Sequence, residues 1–186
     1  MPLNPDRMRL CIRSAVENDL PALESLDAEA FPMEPYPPFV LRQHFDVCRG
    51  HFLVLHDEHA LYGYLIATPP YGGLSWILSL GVTRDAWGHG WGRRLMTDSI
   101  RRLSSERTQE IRLTVHPDND RAVSLYEHLG FTQEGDIRKD YLGLGKHRIL
   151  MTLKLPDSAP PPPRTHPSAP SATGNADRRG GPPRSW

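Results

Sequence analysis

Lysine is scarce in this chain. Only Lys139, Lys146 and Lys154 occur among 22 basic residues, and 22 acidic residues bring the formal charge to zero. No whole-molecule field therefore draws in nucleic acid or an anionic membrane. Cysteine is scarcer still. Cys11 and Cys48 match no metal-binding or redox spacing, so the expectation is a reduced, cytoplasmic protein. No stretch approaches the roughly 18 unbroken apolar residues of a membrane span, and the opening MPLNPDRMRL lacks the apolar core of a secretion signal. The Gly-Lys-Ser/Thr triplet of an ATPase phosphate loop is missing, which excludes that route to nucleotide binding. His51, His56 and His59 lack helical H-x-x-x-H spacing, and two of them flank a hairpin turn. They read as solvated turn residues, and no metal is expected.

What is present divides the 186 residues into three parts. From Pro156 to Trp186 there is no aliphatic residue larger than alanine and one aromatic, Trp186. Such a segment buries too little apolar area to offset its ordering entropy. The expectation is a disordered proline-rich tail over 156–186, a loose leader over 1–8, and one folded domain over 9–155. That domain is long enough to build its own core. A monomer and a homodimer both fit this composition.

Within the domain, strand and helix patterns alternate. Arg9 to Arg13 reads as a short strand. Asp19 to Ala28 reads as a helix with Leu20, Leu23 and Leu26 on one side. FPMEPYPPF, residues 31–39, is a proline-punctuated loop, and Val40 to Cys48 a second helix. HFLVLHDEHALYGYLIA holds two apolar runs around a polar turn, a hairpin. Trp76 to Val82 is a strand. Trp91 to Leu103 is a helix with Leu95, Met96, Ile100 and Leu103 inward. Ile111 to Val115 is a strand and Asp120 to Leu129 a helix, with Gly130 at a left-handed C-cap. Phe131 to Ile137 and His147 to Leu155 would close the sheet. Strands pair first by hairpin and later through a helical crossover, which predicts a mixed α/β fold.

The stretch TRDAWGHGWGRRL, residues 83–95, puts Gly88, Gly90 and Gly92 between the strand ending at Val82 and the helix starting near Gly90. Backbone N–H groups at a helix N-terminus favour an anion. His89, Arg93 and Arg94 add positive donors. A dinucleotide fingerprint is excluded, because Arg93 stands where the third glycine of G-x-G-x-x-G belongs. The residues alone leave two readings open, a phosphate-binding turn and a tight strand–helix connection without ligand.

A second block, LTVHPDNDRAVSLYEHLGF at residues 113–131, resembles together with the first the GNAT acyltransferase superfamily, which uses acetyl-CoA. The family's L-x-V strand and Q/R-x-x-G-x-G/A loop correspond to Leu80-Gly81-Val82 and to Trp87-Gly88-His89-Gly90-Trp91-Gly92. Its N-x-x-A-x-x-L-Y-x-x-x-G-F corresponds to Asn119, Ala122, Leu125, Tyr126, Gly130 and Phe131. Trp87 departs from the usual Gln or Arg. The resemblance implies a central mostly antiparallel sheet flanked by helices. It also implies a cofactor-binding set of Leu80, Val82, Trp87, Gly88, His89, Gly90, Gly92, Arg93 and Asn119, with the pantetheine arm between the strands ending at Val82 and Val115.

The chemistry that the resemblance implies is direct acetyl transfer to a primary amine. Backbone N–H groups near Leu80 to Val82 would polarise the thioester carbonyl, and Tyr126 would give a proton to the leaving thiolate. The base is less defined. Thr114 stands where related enzymes carry Glu or His; His116 is the candidate, directly or through water, with Glu34 and a water chain behind it. The loops carrying Tyr36 and Tyr141 resemble the acceptor-side loops of ribosomal-protein alanine and protein N-terminal acetyltransferases. The acceptor is then a peptide or protein N-terminus, or a small amine. Transfer of a longer acyl group and a non-catalytic acyl-CoA sensor are the rival readings.

Overall fold

The computed structural model describes residues 10–156. The expected leader, the first residue of the expected opening strand and all of the proline-rich tail but Pro156 lie outside them. Among the described residues seven strands and four α-helices follow one another as β1 (Cys11–Ser14), α1 (Leu20–Ala30), α2 (Pro38–Cys48), β2 (Phe52–His56), β3 (Leu61–Ala67), β4 (Leu74–Val82), α3 (Trp91–Ser105), β5 (Glu110–Val115), α4 (Asp120–His128), β6 (Thr132–Gln133) and β7 (Ile149–Lys154). They form one sheet in the order β1-β2-β3-β4-β5-β7-β6. Every neighbouring pair is antiparallel except β4 and β5, which are joined by the α3 crossover and run parallel. The fold is the mixed α/β class expected, mostly antiparallel with flanking helices. Among the described residues no helix is long and apolar enough to cross a membrane.

Two apolar layers hold the sheet between the helices. Leu53, Leu55, Leu65 and Ala67 join Leu95, Met96 and Leu103 of α3 on one face. Phe52, Val54, Tyr64 and Ile66 join Leu23, Leu26, Leu41 and Phe45 of α1 and α2 on the other. Successive strand residues point to opposite faces. The unbroken apolar runs of β2 and β3 therefore belong to strands covered on both sides.

Most element ends shift by a residue or two from expectation, and three differences have a clear local reason. Helix α2 begins at Pro38 with Pro37 as its N-cap, inside the segment read as loop. Proline is tolerated in a first helical turn, where its missing N–H would have no partner in any case. Strand β4 begins at Leu74, after a turn through Gly72 and Gly73 that Tyr71 and Leu74 close. The strand expected over Phe131 to Ile137 is reduced to Thr132–Gln133. Phe131 is taken by the end of α4, and Gly135 turns the chain away at φ +70°.

A buried polar cluster pins α1 to the sheet. Asp27 is fully buried. Its carboxyl accepts the Tyr64 hydroxyl and, at 2.6 Å, the Tyr36 N–H. The Tyr64 oxygen also lies 2.8 Å from Ser79 Oγ. The Tyr64 ring fits over β4 only because residue 81 is glycine; a Cβ there would stand 2.7 Å from the ring. Tyr64→Phe removes one donor from a buried carboxyl, a loss of about 2 kcal/mol. Urea denaturation should record a lower midpoint with an unchanged slope; an unaltered midpoint would show that Asp27 does not depend on Tyr64.

Candidate active site

The site begins where two strands part. The parallel ladder between β4 and β5 runs from Leu74 opposite Glu110 to Ile77 opposite Leu113 and stops there. Strand β4 continues on β3, with Leu80 opposite Leu65 and Val82 opposite Gly63. Strand β5 continues on β7, with Val115 opposite Ile149. Each strand follows its other neighbour, and a wedge opens between them. Thr83 donates its N–H to Tyr62 at 2.9 Å. By alternation Gly81 faces β3 as well, so the main-chain groups of Leu78, Leu80 and Val82 turn into the wedge. Two side chains confirm that direction. The Tyr36 hydroxyl donates to Leu78 O at 3.4 Å, and the Trp87 indole N–H to Val82 O at 2.8 Å.

Beyond Val82 the chain makes a single 3-10 turn over Arg84–Ala86, and Ala86 is buried. Gly88 and Gly90 then take φ +81° and +76°, a left-handed conformation that costs other residues strain. Gly90 is the N-cap of α3, no side chain caps that helix, and its first turn carries no acid. The first N–H groups of α3 are left to an external acceptor, at the positive end of the helix dipole. His89, Arg93 and Arg94 are exposed around them. Gly92 is an ordinary helical residue. A Cβ there would meet Leu125, Val82 and Leu80 at 3.8–4.0 Å, so it sits where α3, α4 and β4 converge.

Helix α4 brings in Tyr126. Asn119 starts the helix by accepting the Ala122 N–H at 3.1 Å. At the other end Phe131 N–H donates to Tyr126 O at 3.0 Å and Gly130 N–H to Glu127 O at 2.9 Å, with Gly130 at φ +90°. These bonds form a Schellman motif, whose usual apolar contact is the Phe131 ring on the Tyr126 ring, centroids 6.0 Å apart. The tyrosine, glycine and phenylalanine of the sequence block are thus one helix-ending device. Tyr126 is buried in the same apolar cluster as Leu113 and Val115, with Leu80 and Val82 packed at its edge. Burial disfavours the phenolate and pushes its pKa up to about 12.

On the far side of the wedge two loops meet. Lys146 Nζ is 2.8 Å from Glu34 Oε1, tying the segment before α2 to the segment before β7. The hydrogen bond from the Lys146 ammonium, with the Arg148 charge behind it, holds the Glu34 carboxyl below the usual carboxylate range. A lowered pKa makes Glu34 a weaker proton acceptor. His116 follows β5 directly. Its Nδ1 accepts the Asp118 N–H at 3.2 Å and lies 3.8 Å from the Asp118 carboxylate. Tyr36 is seated by Asp27 and packs edge-on against His44 at 5.2 Å. Burial, with the Asp27 charge behind it, raises the Tyr36 phenol. Tyr141 stays partly exposed under the Arg138 guanidinium, 5.6 Å from the ring centre.

Two parts of this arrangement escaped the sequence reading. Asp27 seats Tyr36, and its only signal was an acid four residues after Leu23 on the inward side of α1. Lys146 joins the two loops, and no local pattern announced it. The three histidines of the hairpin region do not converge. His51 is not the solvated turn residue expected: it is buried before β2 with Nε2 3.1 Å from Glu106, whereas His56 Nδ1 lies 2.8 Å from the Asp57 carbonyl. Among the described residues no group of three or more His, Cys, Asp or Glu is placed to hold a metal ion.

The wedge between parallel strands, the uncapped N-terminus of α3 and the buried Tyr126 lie side by side in one region of the molecule. The family model described as acetyltransferase (GNAT) family matches residues 19–131, and the chain belongs to that family. It is an N-acetyltransferase by family. The chain is 28% identical over 155 residues to the N-alpha-acetyltransferase RimI of Mycobacterium tuberculosis, covering 80% of this chain and 95% of that protein. It is 35% identical over 89 residues to a mycothiol acetyltransferase of Streptomyces avermitilis, but that match covers 47% of this chain and only 29% of the relative. Among solved structures, a NatC complex bound to Gag peptide and CoA aligns with a TM-score of 0.71 at 22% identity, over 80% of this chain and 100% of that one.

The burial of Tyr126 has a direct spectroscopic consequence. Its pKa is raised, so the protonated form persists through the range where an ordinary tyrosine ionises near pH 10. In an ultraviolet pH titration, the difference between wild type and Tyr126→Phe should show no phenolate absorbance at pH 10.5. A phenolate appearing there would mean that the ring is solvated.

Proposed function

We propose that this chain transfers an acetyl group from acetyl-CoA to a primary amine by direct attack within a ternary complex. The observation that carries the reading is the wedge, with the main-chain edge of Leu78 to Val82 on one wall and the uncapped start of α3 at its mouth. The donor fit rests on the same features. The N–H groups of Gly88 to Gly92 suit a diphosphate, with His89, Arg93 and the amide end of Asn119 around them. The Leu80 and Val82 main chain suits the amides of an extended pantetheine arm. When bound, acetyl-CoA supplies an activated thioester whose carbonyl carbon accepts the amine nitrogen.

The protein's own contribution is placement and proton traffic. The Leu80 N–H stabilises the negative charge that develops on the thioester oxygen, which leaves the Val82 N–H for the pantetheine arm. Tyr126 gives its proton to the departing sulfur. Burial keeps the phenol protonated at the mildly alkaline pH where the acceptor amine is neutral, and the same apolar setting raises the basicity of the thiolate. His116 takes the proton from the amine at Nδ1, directly or through one water, once that nitrogen has released the Asp118 N–H. Asp118, 3.8 Å from Nδ1, then offsets the imidazolium charge. Tyr36 and Tyr141 flank the acceptor. A peptide N-terminus is favoured over a small amine, because the match to the N-alpha-acetyltransferase spans nearly that whole relative.

Saturating acetyl-CoA should raise the melting temperature; no shift would sink the donor assignment. Thiol release measured across peptides and small amines then identifies the acceptor. Tyr126→Phe should lower kcat by about a hundredfold or more, whereas full turnover would remove Tyr126 from the proton path. Donor binding without turnover on any acceptor would favour an acyl-CoA sensor.

A further inference from the structure

Trp87 is outside both apolar clusters and is 47% exposed, so packing does not explain an indole there. Its contacts do. One edge donates to Val82 O at 2.8 Å, capping a carbonyl that faces the wedge and has lost its strand partner. One face carries the Arg121 guanidinium of α4, 4.7 Å from the ring centre, a cation–π contact. The backbone offers little other restraint at this point. The 3-10 turn ends at Ala86, Trp87 N–H makes its last bond to Arg84 O, and the next helical bond is Arg94 N–H to Gly90 O. Between them lie Gly88 and Gly90, the residues with most freedom to lose on ordering.

The geometry points to Trp87 as a positioning residue. It ties the glycine turn to β4 through its N–H and to α4 through Arg121, so that the turn is shaped before the donor arrives. The inference rests on the reading of this turn as the acetyl-CoA site. Two consequences follow from the separate contacts. Losing the indole N–H loosens the turn, and donor affinity falls because the ligand must now order it. Losing Arg121 matters only through the ring it stacks on, so its effect disappears once the ring is gone. The clamp also joins the phosphate side of the site to the helix that carries Tyr126, five residues after Arg121.

Isothermal titration of acetyl-CoA and steady-state kinetics test this on four single variants and one double variant. Trp87→Phe keeps the ring and its cation–π contact but not the hydrogen bond. Its Kd and KM for acetyl-CoA should rise about tenfold, the worth of one hydrogen bond, while kcat at saturation changes less than twofold. Trp87→Ala should lose more. Arg121→Gln should weaken binding severalfold, and Arg121→Lys, which keeps a cation over the ring, should recover most of it. Adding Arg121→Gln to Trp87→Ala should then cost nothing further. Melting temperatures without ligand should stay within a few degrees of wild type, separating this role from general stability. The proposal is overturned if Trp87→Phe and Trp87→Ala bind as tightly as wild type, if kcat falls with KM unchanged, or if the two losses add. If the wild-type protein itself binds no acetyl-CoA, the donor reading fails first and this inference with it.

Discussion

The rest of the site depends on one unmade set of hydrogen bonds. Strands β4 and β5 pair for four residues and then separate, because each is held more extensively by its antiparallel partner. A sheet normally satisfies every inner main-chain group. Here the edge of β4 from Leu78 to Val82 faces a wedge instead, and the protein covers parts of it with side chains: Tyr36 on Leu78 and Trp87 on Val82. What remains is a strand edge with room beside it, suited to an extended ligand that carries its own amides.

Local devices then bring chemistry to that edge. Two left-handed glycines turn the chain so that α3 starts without a cap, pointing unsatisfied N–H groups outward. A Schellman motif at Gly130 ends α4 and seats Tyr126 against Phe131. A buried carboxyl, Asp27, holds the backbone of Tyr36, and an ion pair from Glu34 to Lys146 joins the loop before α2 to the loop before β7. The hydrogen bond to the buried Asp27 carboxyl is worth about one to three kcal/mol, and the exposed ion pair adds little. Their effect lies in placement, since all converge near the wedge. A polar hollow lined by Glu110, Arg112, Thr152 and Lys154 lies at the opposite end of β5 and takes no part in this arrangement.

The elements that depend on nearby residues were legible in advance. Helix α3 follows from its apolar spacing, and the β2–β3 hairpin from its two apolar runs. Gly130 marked the end of α4 correctly. The proline-rich segment misled because Pro37 and Pro38 look like a loop, whereas proline also suits a first helical turn. Phe131 misled because it looks like a strand start and is instead the last contact of a helix cap. The wedge itself had no sequence signature of its own. It arises from the registers of three strand pairs, which are non-local, and only the family resemblance suggested it. Trp87 was the oddest residue of the glycine turn, and its partners, Val82 and Arg121, lie five and thirty-four positions away.

The proposed placement runs acetyl-CoA along β4 in the wedge, with its diphosphate on the start of α3. Amide chemical shifts recorded by NMR during an acetyl-CoA titration test it most directly. The largest changes are expected at the N–H groups of Leu80, Val82 and Gly88 to Gly92, together with the Trp87 indole. Changes confined to the face bearing Glu110, Arg112, Thr152 and Lys154, or an unperturbed glycine turn at saturating ligand, would contradict it.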